Sequence, residues 1–196
     1  MATPEKTYDR LVERAGAQHG FVRTKDLDEL AIPQVYIRKL AASGRAENRA
    51  RGLYRLTAIP VTANDEYHEA VLWAGNDAAV SGEAALALWD LADVNPRHIE
   101  VAVPHGHRPR RDPKGRFKAL TARLAPNDID FVDQIPVVVA GVAIGQAIER
   151  GLEGSLIGQA ITTAATRGLL GQLPEARLRV ALADRNQRAH QVTKTR

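Results

Sequence analysis

Apolar positions set two different rhythms along this chain. Between residues 7 and 17, Tyr8, Leu11, Val12 and Ala15 recur at i, i+3, i+4 and i+7, which predicts an amphipathic helix. Gly16 and Gly20 let the chain turn, and a short apolar pair, Phe21-Val22, follows. Thr24 then stands where an N-cap belongs, ahead of Lys25-Asp26-Leu27-Asp28-Glu29-Leu30. The acidic residues early in that run suit the positive end of a helix dipole, and Leu27 and Leu30 are its buried pair.

Ala31-Ile32-Pro33 makes a tight turn, and Pro33 suits the first turn of a new helix because its φ is fixed and it has no amide proton to satisfy. That helix extends over residues 33–43 and stops at Gly44, a residue at home in the left-handed conformation. Its faces separate at about 100° per residue. Ile37, Leu40 and Ala41 point inward, while Val35, Arg38, Lys39, Ala42 and Ser43 point outward, with Gln34 at the leading end and Tyr36 on the flank. The rhythm then changes from helical to alternating. Arg45-Ala46-Glu47-Asn48 and Leu53-Tyr54-Arg55-Leu56 pair as a hairpin with Tyr54 and Leu56 facing the helices, and Arg49-Ala50-Arg51-Gly52 forms its basic tip. Helix, helix, turn, helix and wing in this order describe a winged helix-turn-helix, whose third helix enters the DNA major groove.

Thr57-Ala58-Ile59-Pro60 reads as a linker, which places a winged-helix domain at residues 1–58 and a larger domain at 61–196. In the second part the pattern predicts a helix over 64–74, a short strand at 78–80, and an apolar helix capped by Ser81 that runs to Leu91. Strands follow at 99–103, 118–124, 129–132 and 136–139. From about Gly141 the pattern is helical in three pieces, broken near 151–154 and 168–174. The fold class is therefore α+β, an N-terminal winged helix followed by a mixed α/β domain with a helical end.

Charge sharpens this picture. Residues 1–57 carry eleven Lys/Arg and seven Asp/Glu, whereas residues 58–196 carry sixteen of each. Between Gln34 and Arg55 six basic residues face the single acidic Glu47. A cationic surface of this kind suits a polyanion, by neutralising phosphates and releasing counterions, or is simply a solvated face. Arg38 and Lys39 are placed to read guanine O6/N7 and Gln34 to pair with adenine; Val35 could meet a thymine methyl. Arg45, Arg49 and Arg51 are assigned to backbone phosphates, which position a protein without specifying sequence. Thr24, Tyr36 and Asn48 complete the candidate interface. A second basic stretch, residues 104–118, holds Arg108, Arg110, Arg111, Lys114 and Arg116 on a loop with two glycines and three prolines. It is a second DNA contact, a surface for an acidic protein, or a soluble hairpin tip.

Several chemistries have no residues to carry them. There is no cysteine, so disulfides, thiolate metal sites and cysteine nucleophiles are excluded, in keeping with a reducing cytoplasm. No apolar run approaches the ~18 residues of a membrane span, and the N-terminus lacks the apolar stretch of a secretory signal. His105 and His107 are spaced like metal ligands but have no evident third partner, so no metal or cofactor is expected. Neither a phosphate-binding loop nor a G-x-S-x-G elbow is present. Glu100 lies on an apolar strand, but position 102, where an acid-x-lysine nuclease would need a lysine, is alanine. The chain is expected not to be an enzyme.

Three segments together resemble the AbiEi-type antitoxins of bacterial type IV toxin–antitoxin systems. They are Arg51-Gly52-Leu53-Tyr54-Arg55-Leu56 at the wing, Val80-Ser81-Gly82-Glu83-Ala84-Ala85-Leu86-Ala87-Leu88-Trp89, and Ile99-Glu100-Val101-Ala102-Val103-Pro104. The resemblance covers about residues 5–118. The chain departs from it at Val139-Ala140-Gly141-Val142-Ala143, where many relatives carry a threonine-x-alanine-arginine-threonine segment. The resemblance implies a cytoplasmic repressor of its own operon that binds repeated sites in double-stranded DNA and counters a nucleotidyltransferase-like toxin. The expected solution state is a monomer. The competing readings are a free-standing winged-helix regulator whose second domain senses a ligand or partner, and a DNA-acting enzyme.

Overall fold

The computed structural model describes residues 4–75, 77–107, 109 and 115–194. It divides into two compact units, Met1–Asn76 and Asp77–Arg196.

The first unit opens with helices α1 (Pro4–Gly16), α2 (Thr24–Glu29) and α3 (Gln34–Ala42) and a three-stranded sheet of β1 (Phe21–Arg23), β2 (Ala46–Ala50) and β3 (Leu53–Leu56). The strands lie in the order β1-β3-β2, all antiparallel. One face of the sheet closes the helical core, in which Leu11, Ala15, Val22, Leu27, Ile32, Ile37, Leu40, Ala46 and Leu56 are buried together. Phe21-Val22, short as it is, therefore forms a true third strand, with Phe21 opposite Arg55 and Val22 opposite Tyr54.

The sequence places a linker at 57–60, but the first unit continues through α4 (Asp65–Ala74). The alternation in β3 explains why. Leu56 and the half-buried Tyr54 point into the helical core, while Leu53 and Arg55 point the other way, and all of these but Tyr54 are buried. Both faces of the sheet are thus covered, and α4 packs its buried Asp65, His68 and Glu69 against the second one. The His68 ring lies 6.0 Å from that of Phe21 and 4.8 Å from that of His19.

Two helix starts differ from the expected caps. Thr24 is the first residue of α2 and Arg23 is its N-cap; the Arg23 amide donates to Oδ2 of the fully buried Asp26 at 2.7 Å. The Thr24 hydroxyl instead donates to the Gly52 carbonyl in the wing at 3.2 Å. In the second unit Ser81 precedes α5 (Gly82–Leu88) without a side-chain cap bond, and the Gly82 amide donates to Gln146 Oε1 at 2.8 Å. That helix also ends at Leu88 rather than at Leu91.

The second unit holds a five-stranded sheet in the order β6-β5-β4-β8-β7. Its strands are β4 (Ala79–Val80), β5 (Ile99–Val103), β6 (Phe117–Thr121), β7 (Ile129–Val132) and β8 (Ile135–Val138). β5 pairs parallel with β6 and antiparallel with β4, and β4 pairs parallel with β8. The strand expected at 118–124 covers Phe117–Thr121 instead, and a 3-10 turn follows at Pro126–Asp128. Asp133 and Gln134 both take positive φ, +49° and +63°, in the two-residue turn between β7 and β8, as a hairpin of that length requires. Helices α6 (Ala140–Arg150), α7 (Gly154–Thr166) and α8 (Gln172–Lys194) pack on one another, and α5 packs on α6. The α+β class and the helical end are those the pattern predicts.

Candidate nucleic-acid interface

Helix α3 presents the face that the sequence assigns to DNA. Ile37 and Leu40 are buried, and the half-buried Tyr36 packs against the same core. Gln34, Val35, Arg38 and Lys39 are exposed. Arg38 and Lys39 have no hydrogen-bond or ion-pair partner among the described residues, so both charges face solvent. Val35 is 55% exposed, which leaves a methyl-bearing contact beside the two cations.

The wing is tighter than the pattern suggests. β2 continues to Ala50, so only Arg51 and Gly52 form the turn, and Gly52 takes a φ of +77°. A β-bulge lies between Asn48 and Ala50, which leaves Arg49 out of register. A bulge re-aims the side chain it carries. Here it turns Arg49 to α4, where its Nε and a terminal nitrogen donate to Glu69 Oε2 at 3.2 and 2.8 Å. Glu69 is 1% exposed, and Glu47 adds an acceptor at 3.3 Å. The Glu69 carboxylate bonded to it holds the Arg49 pKa above its ordinary value. One turn earlier on α4, Asp65 Oδ2 accepts from Arg55 Nε at 3.2 Å and from a terminal nitrogen at 2.9 Å.

The cationic run between Gln34 and Arg55 thus resolves into distinct jobs. Arg49 and Arg55 fasten the hairpin to α4. Arg45 is exposed and stacks its guanidinium 3.8 Å above the Tyr8 ring. Arg38, Lys39 and Arg51 remain as exposed cations, and Arg51 has no partner among the described residues. Asn48 is exposed on β2. Thr24 is half-buried and bonded to Gly52, so it supports the wing from behind. With α4 included the first unit carries eleven basic and ten acidic residues, so its positive character belongs to one face rather than to the whole.

Residues 9–57 match the family profile described as "Transcriptional regulator, AbiEi antitoxin". The match lies within the N-terminal module and covers about a quarter of the chain. The matched segment ends just after β3 and therefore before α4. Among solved structures, the RV2827C protein from Mycobacterium tuberculosis matches with a TM-score of 0.57 at 16% identity, over 92% of this chain and 74% of that one. At that identity the likeness speaks of fold alone. No functionally curated protein matches the sequence.

Beyond the matched segment, four of the five basic-loop residues named from the sequence, Arg108, Arg110, Arg111 and Lys114, lie outside the described residues. Arg116 is half-buried with its guanidinium 4.3 Å over the Phe117 ring. Nearby, Glu100 Oε1 pairs with Lys118 Nζ at 3.2 Å, and its other oxygen pairs with Arg150. The acid and the lysine come from neighbouring parallel strands, paired Glu100 opposite Lys118, rather than from one strand. Both oxygens of the carboxylate are thus paired with cations. Among the described residues no group of three or more His, Asp or Glu side chains is placed to hold a metal ion, and no helix is long and apolar enough to cross a membrane.

Proposed function

We propose that this protein is an antitoxin-type transcriptional regulator that binds double-stranded DNA, represses its own operon and counters a nucleotidyltransferase-like toxin. The observation that carries the DNA reading is the exposed, unpartnered pair Arg38 and Lys39 on a helix whose opposite face is locked into the core. An α-helix fits the major groove, and a bidentate arginine or lysine contact to guanine is worth about 1–3 kcal/mol of discrimination. Gln34, at the first turn of α3, reaches the same groove and pairs with adenine. Arg51 at the wing tip and Arg45 take phosphates, fixing the register in which α3 is read. The antitoxin part of the reading rests on the family of residues 9–57, with the second unit as the partner-facing element.

The test is a gel shift with the protein's own promoter region. Arg38→Ala combined with Lys39→Ala is expected to weaken specific binding by at least ~10-fold, following the energies above, with an unchanged circular dichroism spectrum. Equal affinity of the double variant and the wild type would refute the placement of the reading face. Co-expression with the adjacent reading frame tests the second half. Growth rescue by the full chain, retained in the double variant, supports a neutralising role separate from DNA binding. A neighbour that is harmless on its own would leave a free-standing regulator instead.

A further inference from the structure

We infer that Glu69 is a positioning residue for DNA binding: it draws Arg49 away from the duplex, pins the wing to α4, and so makes Arg51 the wing's phosphate contact. The inference rests on the DNA-binding reading and goes beyond it in assigning opposite roles to two arginines that are two residues apart.

Three observations support it. The bulge between Asn48 and Ala50 takes Arg49 out of the alternation of β2, and its guanidinium meets Glu69 through two nitrogens. Glu69 is buried, so the pair it makes is not one of the solvated surface pairs that contribute almost nothing. Asp65, one turn before Glu69, grips Arg55 on the neighbouring strand in the same way. Two carboxylates at i and i+4 share a helix face, so one edge of α4 holds both strands of the wing. Arg51, by contrast, sits in the turn with its charge exposed.

Charge released from a buried partner would be free to neutralise phosphate, and each phosphate neutralised adds about 0.9 to the slope of log affinity against log salt. Fluorescence anisotropy with a random-sequence duplex of about 30 base pairs reads that slope without knowledge of the operator. In the full-length protein, Arg51→Ala should lower the slope by about 0.9, while Arg49→Ala leaves it unchanged. Glu69→Gln, which keeps the size of the side chain, should raise it by up to about 0.9 as Arg49 turns to the DNA. Adding Arg49→Ala to Glu69→Gln should return it to the wild-type value. Glu66→Gln removes an equal charge from an exposed position of the same helix and should not move it.

Equal slopes for the Glu66 and Glu69 variants would overturn the positioning role, as would a loss in Arg49→Ala matching that in Arg51→Ala. Failure of the wild type to bind any duplex would instead remove the DNA reading itself, so the two failures are distinguishable.

Discussion

Replacing Asp65 by alanine tests how the first unit is held together. The carboxylate is 4% exposed, accepts two bonds from Arg55, and takes a third at 2.6 Å from the Thr62 hydroxyl. Arg55 is itself only 7% exposed, and its remaining acceptors are the Ile59 carbonyl at 3.0 Å and the Leu56 carbonyl at 3.5 Å. Without Asp65 the guanidinium keeps its charge but loses its counter-charge. Breaking a buried pair in this way costs about 3–5 kcal/mol, because a charge is left unpaired in a poorly solvated place. For a domain of this size each kcal/mol moves the melting temperature by about 4–8 °C, so the first unit should melt at least ~12 °C lower. Calorimetry of the full chain reads the shift, and hydrogen exchange in β2, β3 and α4 assigns it to the first unit. A second variant separates charge from packing. Arg55→Leu with Asp65→Leu removes both charges together and should recover at least half of the loss, since apolar replacement of a whole buried pair is often neutral. A shift below ~3 °C in Asp65→Ala, or a double variant no better than the single, would show that α4 is not held by this pair.

Burial alone would raise the Asp65 pKa, but the bonds from Thr62 and Arg55 outweigh it and hold it below the ordinary 3.8. A depressed folded-state pKa means stability that is complete at neutral pH and lost as acid protonates the native carboxylate, so the first unit should weaken as the pH falls below about 4. Melting curves between pH 7 and pH 3 should show this fall in the wild type and a shallower one in Asp65→Asn; parallel curves would refute the assignment. In the second unit, Gly82→Ala places a Cβ at a φ of +62° and within 2.6 Å of Glu100 Oε2. The backbone strain alone is about 1–2 kcal/mol, and the Glu100 network must also move. Hydrogen exchange across β5 should accelerate, and unchanged protection there would contradict the packing.

Much of the first unit could be read in the sequence because its signals are local. Helix periodicity, Pro33 before α3 and Gly44 after it depend on neighbours a few residues away, and the bounds of α3 fall within a residue of those predicted, while α1 begins three residues earlier, at Pro4. The exposed face of α3 was legible for the same reason, since inward Ile37 and Leu40 fix where Arg38 and Lys39 must point. The fate of the wing arginines was not. Arg49 and Arg51 look alike in the sequence, and their difference comes from a bulge and from a glutamate twenty residues away. At α2 the cap falls one residue before Thr24, where the Arg23 amide bonds Asp26, while Ser81 does stand at the N-cap of α5 but makes no side-chain cap bond, and the Gly82 amide beside it finds Gln146, sixty-four residues away. One overlooked signal was available: in Leu53-Tyr54-Arg55-Leu56 both parities carry leucine, so neither face of β3 was meant for water.

That double-sided strand changes what counts as a transferable piece of this chain. A fragment cut at residue 57 would keep every helix and strand of the recognisable module and still bare Phe21 and Leu53, while stranding two arginines without their carboxylates. The length over which a sequence looks familiar and the length over which it can stand alone are set by different forces. Here the second is longer by one acidic helix, and any swap of DNA-reading heads between such proteins has to carry that helix along.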